Sequence, residues 1–464
     1  MGLQRRGWRQ GREVRLPAGR ARSLPAEPGL LACAAVRDDS AMASDRRDFL
    51  ARLGLSAAAL AWPARLAGLA ARLEAGAGLE RGSHAPAPVP GEDLWDVVRQ
   101  EFLIPPDRLY LNVGTLGPQP RVVLDAAIEH MNRVAMTYPP GVDWAALETR
   151  LGALLHGDPE GFVFPRNTTE GMAFVANGLE LRAGDEVLTT THEHIGGLCP
   201  WQAAARRRRL TLRQLPLPVP PLDAEQLVDV FRRALTRRTR VISVSHVTFT
   251  TGVVMPVREL VELARPRGII VVVDGAHPPG LMPVDLRALD ADFYASSPHK
   301  WLLAPQGTGL LYLRGEWRTR LWPSVASGDW DNLKLGAQRL NHLGTIDESR
   351  LAGLLAAVGF HEAIGPERVY ARIAQLRARL DEALRATPGV RVVSPRAGPL
   401  VAGMVAFAVA KLPALELQQR LEKKNVRTRV IGEYDYGWMR LSPHIYNSPA
   451  EVDRAVALIR GELV

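Results

Sequence analysis

The sequence predicts an α/β protein: a mostly parallel central sheet with helices on both faces, followed by a smaller C-terminal α+β domain. Between about residues 161 and 313, short β-rich runs alternate with helical stretches, which is the pattern of an α/β layer architecture. Several runs, such as Ile269–Asp274, are continuously apolar, as strands buried on both faces of a parallel sheet are. At 464 residues, the chain is long enough for two domains.

A short helix is expected at Glu92–Phe102, and Leu109–Asn112 opens the globular part. Helices are then expected at about 121–137 and about 143–156. The strands expected in the central sheet are Gly161–Phe164, Glu186–Thr190, Val241–His246, Ile269–Asp274, Asp292–Ser296 and Gly309–Leu313. The C-terminal part is expected to contain helices Ser349–Ile364, Pro366–Ala386 and Leu415–Lys424, and strands Val390–Val393, Gly403–Ala408 and Trp438–Leu441.

The last helix has a clear start, because Ser448 can act as N-cap, Pro449 suits the first helical position and Glu451 completes a capping box. We place the large domain at 92–345 and the small domain at 346–464.

The N-terminal segment resembles a twin-arginine export signal. Arg46-Arg47 is followed by Phe49-Leu50 and a modestly apolar, Ala-rich stretch that is too short to span a membrane. We therefore expect an over-translated extension at 1–41, the signal at 42–74 and a Gly/Ala/Pro-rich linker at 75–91. This predicts recognition by the twin-arginine export machinery and a periplasmic or exported enzyme. The alternatives are an amphipathic helix of the mature fold and, if the signal is not used, a cytoplasmic protein.

The basic composition does not indicate a nucleic-acid partner. The net charge is +9, but residues 1–84 hold 14 Arg against 8 Asp+Glu, so the body carries about +3. The run Arg206–Arg209 lacks interleaved aromatic residues and is interpreted as the solvated end of a helix, with a phosphate-binding patch as the alternative. Two cysteines, Cys33 and Cys199, do not suggest a disulfide framework or a zinc cluster.

Lys300 is the first lysine in a chain that uses arginine almost everywhere else, and only four more lysines follow it. A desolvated amine can lose its proton and condense with an aldehyde, which a guanidinium cannot do. The rest of the chain supplies what pyridoxal phosphate requires, so we interpret Lys300 as the residue that binds this cofactor covalently.

Polar residues near the ends of predicted strands complete the pattern. The segment Phe162–Gly171 is a strand, a turn and a helix start, where backbone N–H groups and the hydroxyls of Thr168 and Thr169 can bind a phosphate. Either threonine can instead be only an N-cap. Asp274 ends a buried strand, at the sheet edge where α/β proteins bind ligands, and can keep a pyridine nitrogen protonated. Its alternative is a loop cap.

Two further segments are expected at the same edge. Ser297 and His299 can bind the cofactor phosphate beside Lys300. The His-x-His spacing of His192 and His194 is compatible with zinc, but no further ligand follows at a characteristic spacing. A ring stacked on a flat cofactor explains His194 better, so no metal is expected.

Together these residues resemble the class V aminotransferase family of fold-type I pyridoxal-phosphate enzymes, nearest to its isopenicillin N epimerase-like branch and close to the cysteine desulfurases. The resemblance implies that Lys300 forms the Schiff base and moves the Cα proton, and that Asp274 pairs with the pyridine nitrogen. It also implies that His194 stacks on the ring and His277 bonds the ring hydroxyl. Phosphate ligands implied by the family are Thr168, Thr169, Ser297, His299 and, across a dimer interface, Thr345 of Gly344-Thr345. The implied substrate-carboxylate clamp is Arg440, with Arg427 as a second candidate; an arginine fork suits this role.

The implied substrate is a small amino acid, and the implied assembly is a homodimer. Transamination is the broad expectation for the family and is favoured; epimerisation and C–S lysis stay open, as does a non-catalytic carrier or sensor. Residues 400–464 hold no cysteine, which argues against persulfide chemistry. At Thr248-Phe249, the desulfurases have a polar residue near the ring, and Phe249 cannot replace its hydrogen bond.

Overall fold

A central sheet organises the chain, in a computed structural model that describes residues 62–77, 92–137 and 141–463. The strands, in chain order, are β1 Leu109–Tyr110, β2 Phe162–Val163, β3 Glu186–Thr190, β4 Thr211–Leu215, β5 Thr239–Ser245, β6 Ile270–Asp274, β7 Phe293–Ser296, β8 Leu310–Leu313, β9 Val390–Val392, β10 Val405–Val409, β11 Val426–Arg427, β12 Arg429–Ile431 and β13 Trp438–Leu441.

Helices alternate with these strands. They are, in chain order, α1 Trp62–Ala77, α2 Glu92–Arg99, α3 Arg121–Thr137, α4 Trp144–Leu154, α5 Thr168–Gly178, α6 Ile195–Arg208, α7 Ala224–Ala234, α8 Val257–Ala264, α9 Leu286–Leu289, α10 Trp317–Arg320, α11 Ser349–Ile364, α12 Pro366–Arg385, α13 Ala414–Glu422 and α14 Pro449–Leu463.

The central sheet has the strand order β2-β8-β7-β6-β5-β3-β4. Neighbouring strands from β7 to β4 are parallel, and β8 runs antiparallel to both β7 and β2. The predicted mostly parallel α/β sheet is confirmed. Strand β4 was not predicted, because its polar, partly exposed residues belong to a sheet edge rather than to a buried run.

The inner strands of the sheet, unlike the edge strand β4, are buried on both faces, as their continuous apolar runs predicted. In β6, Val271 and Val273 belong to one hydrophobic core, whereas Val272 belongs to a separate core on the opposite face. Because side chains alternate across a strand, this division places packed layers on each side of the sheet. The carboxyl ends of the parallel strands are left free to carry polar groups.

The C-terminal part contains an antiparallel sheet of order β12-β13-β10-β9. Its own core includes Leu376 of α12, Leu417 of α13 and Val456 of α14, so the smaller α+β unit is confirmed. The predicted capping box is also present: the Glu451 N–H donates to Ser448 Oγ at 3.1 Å, and the Ser448 N–H donates to Glu451 Oε2 at 2.9 Å.

Two helices near the predicted domain limits pack on the large unit. Helix α11 lies just after the predicted boundary at 345/346 but packs on α3 and α1. Helix α1 spans the predicted limit between the signal at 42–74 and the linker at 75–91, and its Leu69 and Leu73 are 2% and 1% exposed in the main core. Residues 1–61, including Arg46-Arg47, lie outside the described residues. Within the described ranges, no helix is long and apolar enough to cross a membrane.

The arginine run 206–209 ends helix α6. Arg207 donates to Asn177 Oδ1 at 2.8 Å, and Arg208 donates to the carbonyls of Leu179 and Asn177 at the end of α5. Arg209 takes the left-handed conformation that terminates the helix. The interpretation of this run as a helix end is confirmed, and part of it stabilises the junction of two helices.

Candidate active site

The polar ends of β3, β5, β6 and β7 meet in a cavity of about 340 Å³. Parallel strands present their carboxyl ends at one edge of the sheet, where ligands bind in this architecture. The predicted site residues that line the cavity are Thr168, Thr169, His194, Asp274, His277, Ser297, His299, Lys300 and Arg440.

Lys300 follows β7 in a tight turn, in which its N–H donates to the Ser297 carbonyl at 3.0 Å. Burial lowers the pKa of the Lys300 amine to about 8, against the opposing effect of Asp274 and with the help of the Arg440 and Arg429 charges. The amine donates no hydrogen bond to a described protein group. The Lys300 amine therefore has a lowered pKa and is not held by a hydrogen bond to another described residue. Condensation with an aldehyde requires such an amine.

Asp274 is the last residue of β6, and its carboxylate accepts a hydrogen bond from the Ala276 N–H at 3.0 Å. Burial raises the pKa of this carboxyl, and the Lys300 charge opposes the shift. Gly197 leaves the other oxygen accessible, because a Cβ at this position would lie 2.7 Å from Asp274 Oδ2. A cationic ring N–H at this place would restore the charged carboxylate.

His277 is fixed by its neighbour in the fold. Its Nδ1 accepts a hydrogen bond from the Trp301 indole N–H at 3.0 Å, so the neutral ring carries its proton on Nε2. This Nε2 is buried and lacks a partner among the described residues. A buried donor without a partner costs free energy, and an oxygen of a bound ligand would satisfy it.

His194 caps helix α6. Its Nδ1 accepts a hydrogen bond from the Gly196 N–H at 3.1 Å, and its ring meets that of Phe249 edge-on at 5.2 Å. Burial and the Lys300 charge lower the pKa of His194 to about 3. The ring is therefore a neutral wall of the cavity with a fixed orientation. His192 turns elsewhere, bonding Thr250 Oγ1 at 2.6 Å and the Tyr436 hydroxyl at 3.1 Å.

The N-terminus of α5 forms the end suited to a phosphate. The Thr168 hydroxyl and the Ser297 hydroxyl lie 2.7 Å apart, and the Thr168 N–H donates to Ser297 Oγ at 3.1 Å. Thr169 is exposed beside them. His299 donates from Nδ1 to the Thr308 carbonyl at 3.2 Å, and burial lowers its pKa to about 4. Hydroxyls and a helix N-terminus make this end suitable for an anion.

Arg440 is a buried cation on β13, with 2% of its surface exposed. It donates to the Phe249 carbonyl at 2.8 Å and to Thr115 Oγ1 at 3.3 Å, and no carboxylate of the described residues pairs with it. Burial and the Arg429 charge lower its pKa to about 9, so it stays charged at neutral pH. A buried guanidinium without a counter-ion is suited to bind a carboxylate.

Two predicted residues lie outside the cavity. Arg427, the second candidate for the substrate clamp, is exposed, lies 3.7 Å from Glu422 and does not line this cavity. The chain changes sheets at Thr428, because β11 pairs with β1 whereas β12 pairs with β13, and Arg429 reaches the cavity instead. Thr345 lines a separate cavity beside α3; its contact with a phosphate in a partner subunit stays a prediction.

Residues 144–455 match the sequence pattern of the Aminotransferase class-V family. The chain belongs to this family. It is 33% identical to isopenicillin N epimerase of Streptomyces clavuligerus over 397 residues, which are 79% of this chain and 99% of the epimerase. It is 30% identical to a cysteine desulfurase of Cronobacter sakazakii over 383 residues, 76% of this chain and 92% of the desulfurase.

Solved structures agree with this assignment. The cystine C–S lyase C-DES, in complex with cysteine persulfide, matches with a TM-score of 0.69 and 27% identity over 76% of this chain and 98% of the lyase. A C-DES variant with glycine covalently linked to its PLP cofactor matches with a TM-score of 0.70. The class-V chain is therefore a pyridoxal-phosphate-dependent enzyme of fold type I.

The cavity fits this cofactor. The unpartnered Nε2–H of His277 suits the ring hydroxyl, Asp274 suits the pyridine nitrogen, and the α5 N-terminus suits the phosphate. Lys300 offers the amine for the covalent link. Gly197 provides the space, because a side chain there would collide with Asp274. A flat aldehyde with hydrogen-bonding groups would provide the partners that these polar side chains lack and would fit the space that Gly197 leaves.

Sequence reasoning missed two residues of this site. Arg429 lines the cavity because β12 pairs with β13. No local sequence pattern indicates this pairing. Glu193 lies buried behind the ring site, where it accepts hydrogen bonds from the hydroxyls of Thr190 and Ser245, each at 2.6 Å. Burial raises the pKa of Glu193 to about 7. Its place directly before His194 could have indicated a supporting role.

Proposed function

We propose that this enzyme transfers the amino group of a small α-amino acid. The observation that carries the proposal is the protonation state of the cavity. Lys300 has a pKa of about 8, whereas the pKa values of His194 and His299 are lowered to about 3 and 4. Among the lysine and histidine side chains lining the cavity, Lys300 is thus the group able to take and return a proton near neutral pH.

Each residue has a defined task in this proposal. Arg440 binds the substrate carboxylate through its guanidinium. With cofactor and substrate bound, the Lys300 amine would remove the Cα proton. Bound pyridoxal phosphate supplies the electron sink, which Asp274 maintains by holding the pyridine nitrogen protonated. With the cofactor bound, Lys300 would be a single base able to take up and return the proton on one face of the substrate, as transamination requires.

A single-turnover experiment tests this function. The holoenzyme is mixed with each amino acid of a panel, without an amino acceptor, and the oxo acid formed is quantified. We expect one oxo acid per active site, together with loss of the yellow cofactor absorption, and recovery of that absorption when an oxo acid is added. A substrate that is consumed without any oxo acid contradicts transamination.

Epimerisation is the second candidate, favoured by the similarity over nearly the whole length of isopenicillin N epimerase. It predicts catalytic formation of the opposite enantiomer, with exchange of the Cα hydrogen for solvent deuterium and no oxo acid. A C–S lyase would instead release a sulfur compound from cysteine or cystine. Chiral chromatography and sulfide detection on the same reaction mixtures distinguish the three reactions.

We further propose a homodimer. Helix α3 exposes Ile128, Met131, Val134 and Met136, each 45–51% accessible, and the cavity that contains Thr345 also involves α3. Exposed apolar side chains grouped on one element are typical of an interface. Light scattering is expected to give twice the subunit mass, and a monomeric mass contradicts this proposal.

Export through the twin-arginine route is also proposed, from the Arg46-Arg47 motif. A variant with Arg46→Lys and Arg47→Lys is expected to stay in the cytoplasm, while the parent is found in the periplasm. Because Leu69 and Leu73 are buried in the core, we expect any cleavage before Trp62. Fractionation and N-terminal mass spectrometry check both statements, and an unchanged distribution contradicts export by this route.

A further inference from the structure

Two arginines face each other across the small sheet. Arg429 of β12 is the direct antiparallel partner of Arg440 of β13, and both side chains line the active-site cavity. Like charges directly opposite in a sheet destabilise it, and Arg440 is buried without a carboxylate partner among the described residues. The fold therefore maintains an unfavourable concentration of positive charge beside Lys300.

The charge of Arg429 is only partly compensated. Its guanidinium donates to Glu433, the one hydrogen bond found for it among the described residues. Arg429 lies between the active-site cavity and a separate groove and lines both, whereas Glu433 lines the groove and not the cavity. An acceptor that enters the cavity can therefore approach the Arg429 side chain from the side opposite the groove.

We propose that Arg429 forms a subsite for a second carboxylate, so that the enzyme prefers dicarboxylic α-amino acids. This inference rests on the proposed function, in which Arg440 binds the α-carboxylate. The side-chain carboxylate then lies against Arg429, and the two anions offset the repulsion between the two guanidinium groups. Phe249, buried on the same wall, gives the methylene groups between the carboxylates an apolar contact.

Glu433 does not prevent this binding. The side chains of Arg429 and Glu433 are 34% and 20% exposed, and ion pairs in contact with solvent contribute little stability. A substrate carboxylate can join Glu433 on the same guanidinium, since an arginine has five N–H donors. An isolated structural ion pair would not require Arg429 to face the cavity or to stand opposite Arg440.

Pairs of amino acids that match in size but differ in side-chain charge test the subsite. The holoenzyme is titrated with glutamate and glutamine, and with aspartate and asparagine, and binding is followed by cofactor absorbance. We expect at least one acid to bind about 10- to 100-fold more tightly than its amide, as a hydrogen bond to a charged group provides. Equal affinity for acid and amide in both pairs overturns the proposal.

Variants of Arg429 and Arg427 test whether Arg429 causes the preference for the acid over the amide. Arg429→Gln is expected to remove the preference for the acid while leaving affinity for the amide unchanged, and Arg429→Lys is expected to retain part of it. Arg427→Gln is the matched control, because Arg427 lies two residues away and outside the cavity; it is expected to behave as the parent. An equal loss for acid and amide in Arg429→Gln contradicts the subsite.

Binding of glutarate tests the Arg429 subsite independently of whether the enzyme catalyses transamination. It carries two carboxylates and no amine, so it cannot react, and calorimetric binding to the holoenzyme reports the two arginines alone. Weaker glutarate binding in Arg429→Gln but not in Arg427→Gln supports the subsite even if transamination fails. Glutarate binding that is the same in all three proteins overturns the subsite even if an oxo acid is formed.

Discussion

The two walls of the active-site cavity are built on opposite principles. On the cofactor wall, His194, His277 and His299 each form a hydrogen bond with a neighbouring protein group and have pKa values lowered by burial. On the substrate wall, Arg429 and Arg440 bring two guanidinium groups to the same cavity, and no carboxylate pairs with Arg440 within the described ranges.

This difference indicates which kind of ligand each wall is suited to bind. The cofactor wall is neutral and oriented before anything binds, so it can hold a resident group with little rearrangement. The substrate wall contains the buried guanidinium of Arg440, which has no carboxylate partner among the described residues, and the guanidinium of Arg429, which Glu433 compensates in part. Binding free energy is therefore available at the substrate wall each time an anionic ligand enters.

The largest effect is expected for Lys300→Ala. This variant should lose the covalent cofactor link and at least about 1,000-fold in turnover, because the base and the attachment point disappear together. Lys334→Ala changes an exposed lysine and serves as control. Borohydride treatment followed by mass spectrometry should give a cofactor adduct in the parent and in Lys334→Ala. An adduct in Lys300→Ala contradicts the assignment.

Arg440→Met is expected to separate binding from stability. Affinity for amino acids should fall roughly 100-fold, because the partner of the substrate carboxylate is removed. The apoprotein should unfold at the same temperature or higher, since an apolar side chain replaces an uncompensated buried charge. Spectral titration and thermal denaturation check the two outcomes. A strongly destabilised variant would show instead that Arg440 is mainly structural.

The pH dependence of cofactor capture tests the cofactor wall. Because the pKa of Lys300 is lowered from 10.5 to about 8, the rate at which apoenzyme captures pyridoxal phosphate should rise about tenfold per pH unit up to that value and then level. An ordinary lysine would continue to gain rate up to about pH 10. Stopped-flow absorbance between pH 6 and 10.5 measures the inflection.

The same shift affects stability in a defined direction. Between about pH 8 and 10.5, the unfolded chain still holds the lysine proton that the folded chain has released. The contribution of Lys300 to apoprotein stability therefore rises with pH across this window. Lys300→Ala should lack this component. An identical pH slope in parent and variant would contradict the lowered pKa.

The same two walls also show what sequence could predict. Asp274, Ser297 and Lys300 follow buried strands, and parallel strands bring their carboxyl ends to one edge, so a local pattern was sufficient to bring these residues together. No comparable rule predicts from the sequence which of Arg427 and Arg429 lines the cavity. Their roles depend on the switch of sheets at Thr428, which is a tertiary pairing. The edge strand β4 was missed for a related reason, since its polar residues reflect an edge position.

The smallest effect we predict concerns the orientation of His277. Trp301→Phe keeps the buried ring but removes the indole N–H that fixes Nδ1 of His277 as acceptor. The imidazole proton can then occupy either nitrogen, and cofactor affinity should fall about five- to tenfold, the value of one hydrogen bond. Equilibrium dialysis of pyridoxal phosphate, together with the pH dependence of the cofactor spectrum, measures the change.

Trp317→Phe is the matched control for this prediction, because the Trp317 indole N–H donates to Asp292 Oδ1 at 2.9 Å and Trp317 does not line the cavity. Both variants lose one buried indole hydrogen bond, so both should lose comparable thermal stability. Only Trp301→Phe should lower the affinity for pyridoxal phosphate. Equal weakening in both variants would mean that general loosening of the core, rather than the tautomer of His277, controls affinity. Weakening by Trp301→Phe alone would show that the cofactor wall depends on a hydrogen bond from behind it.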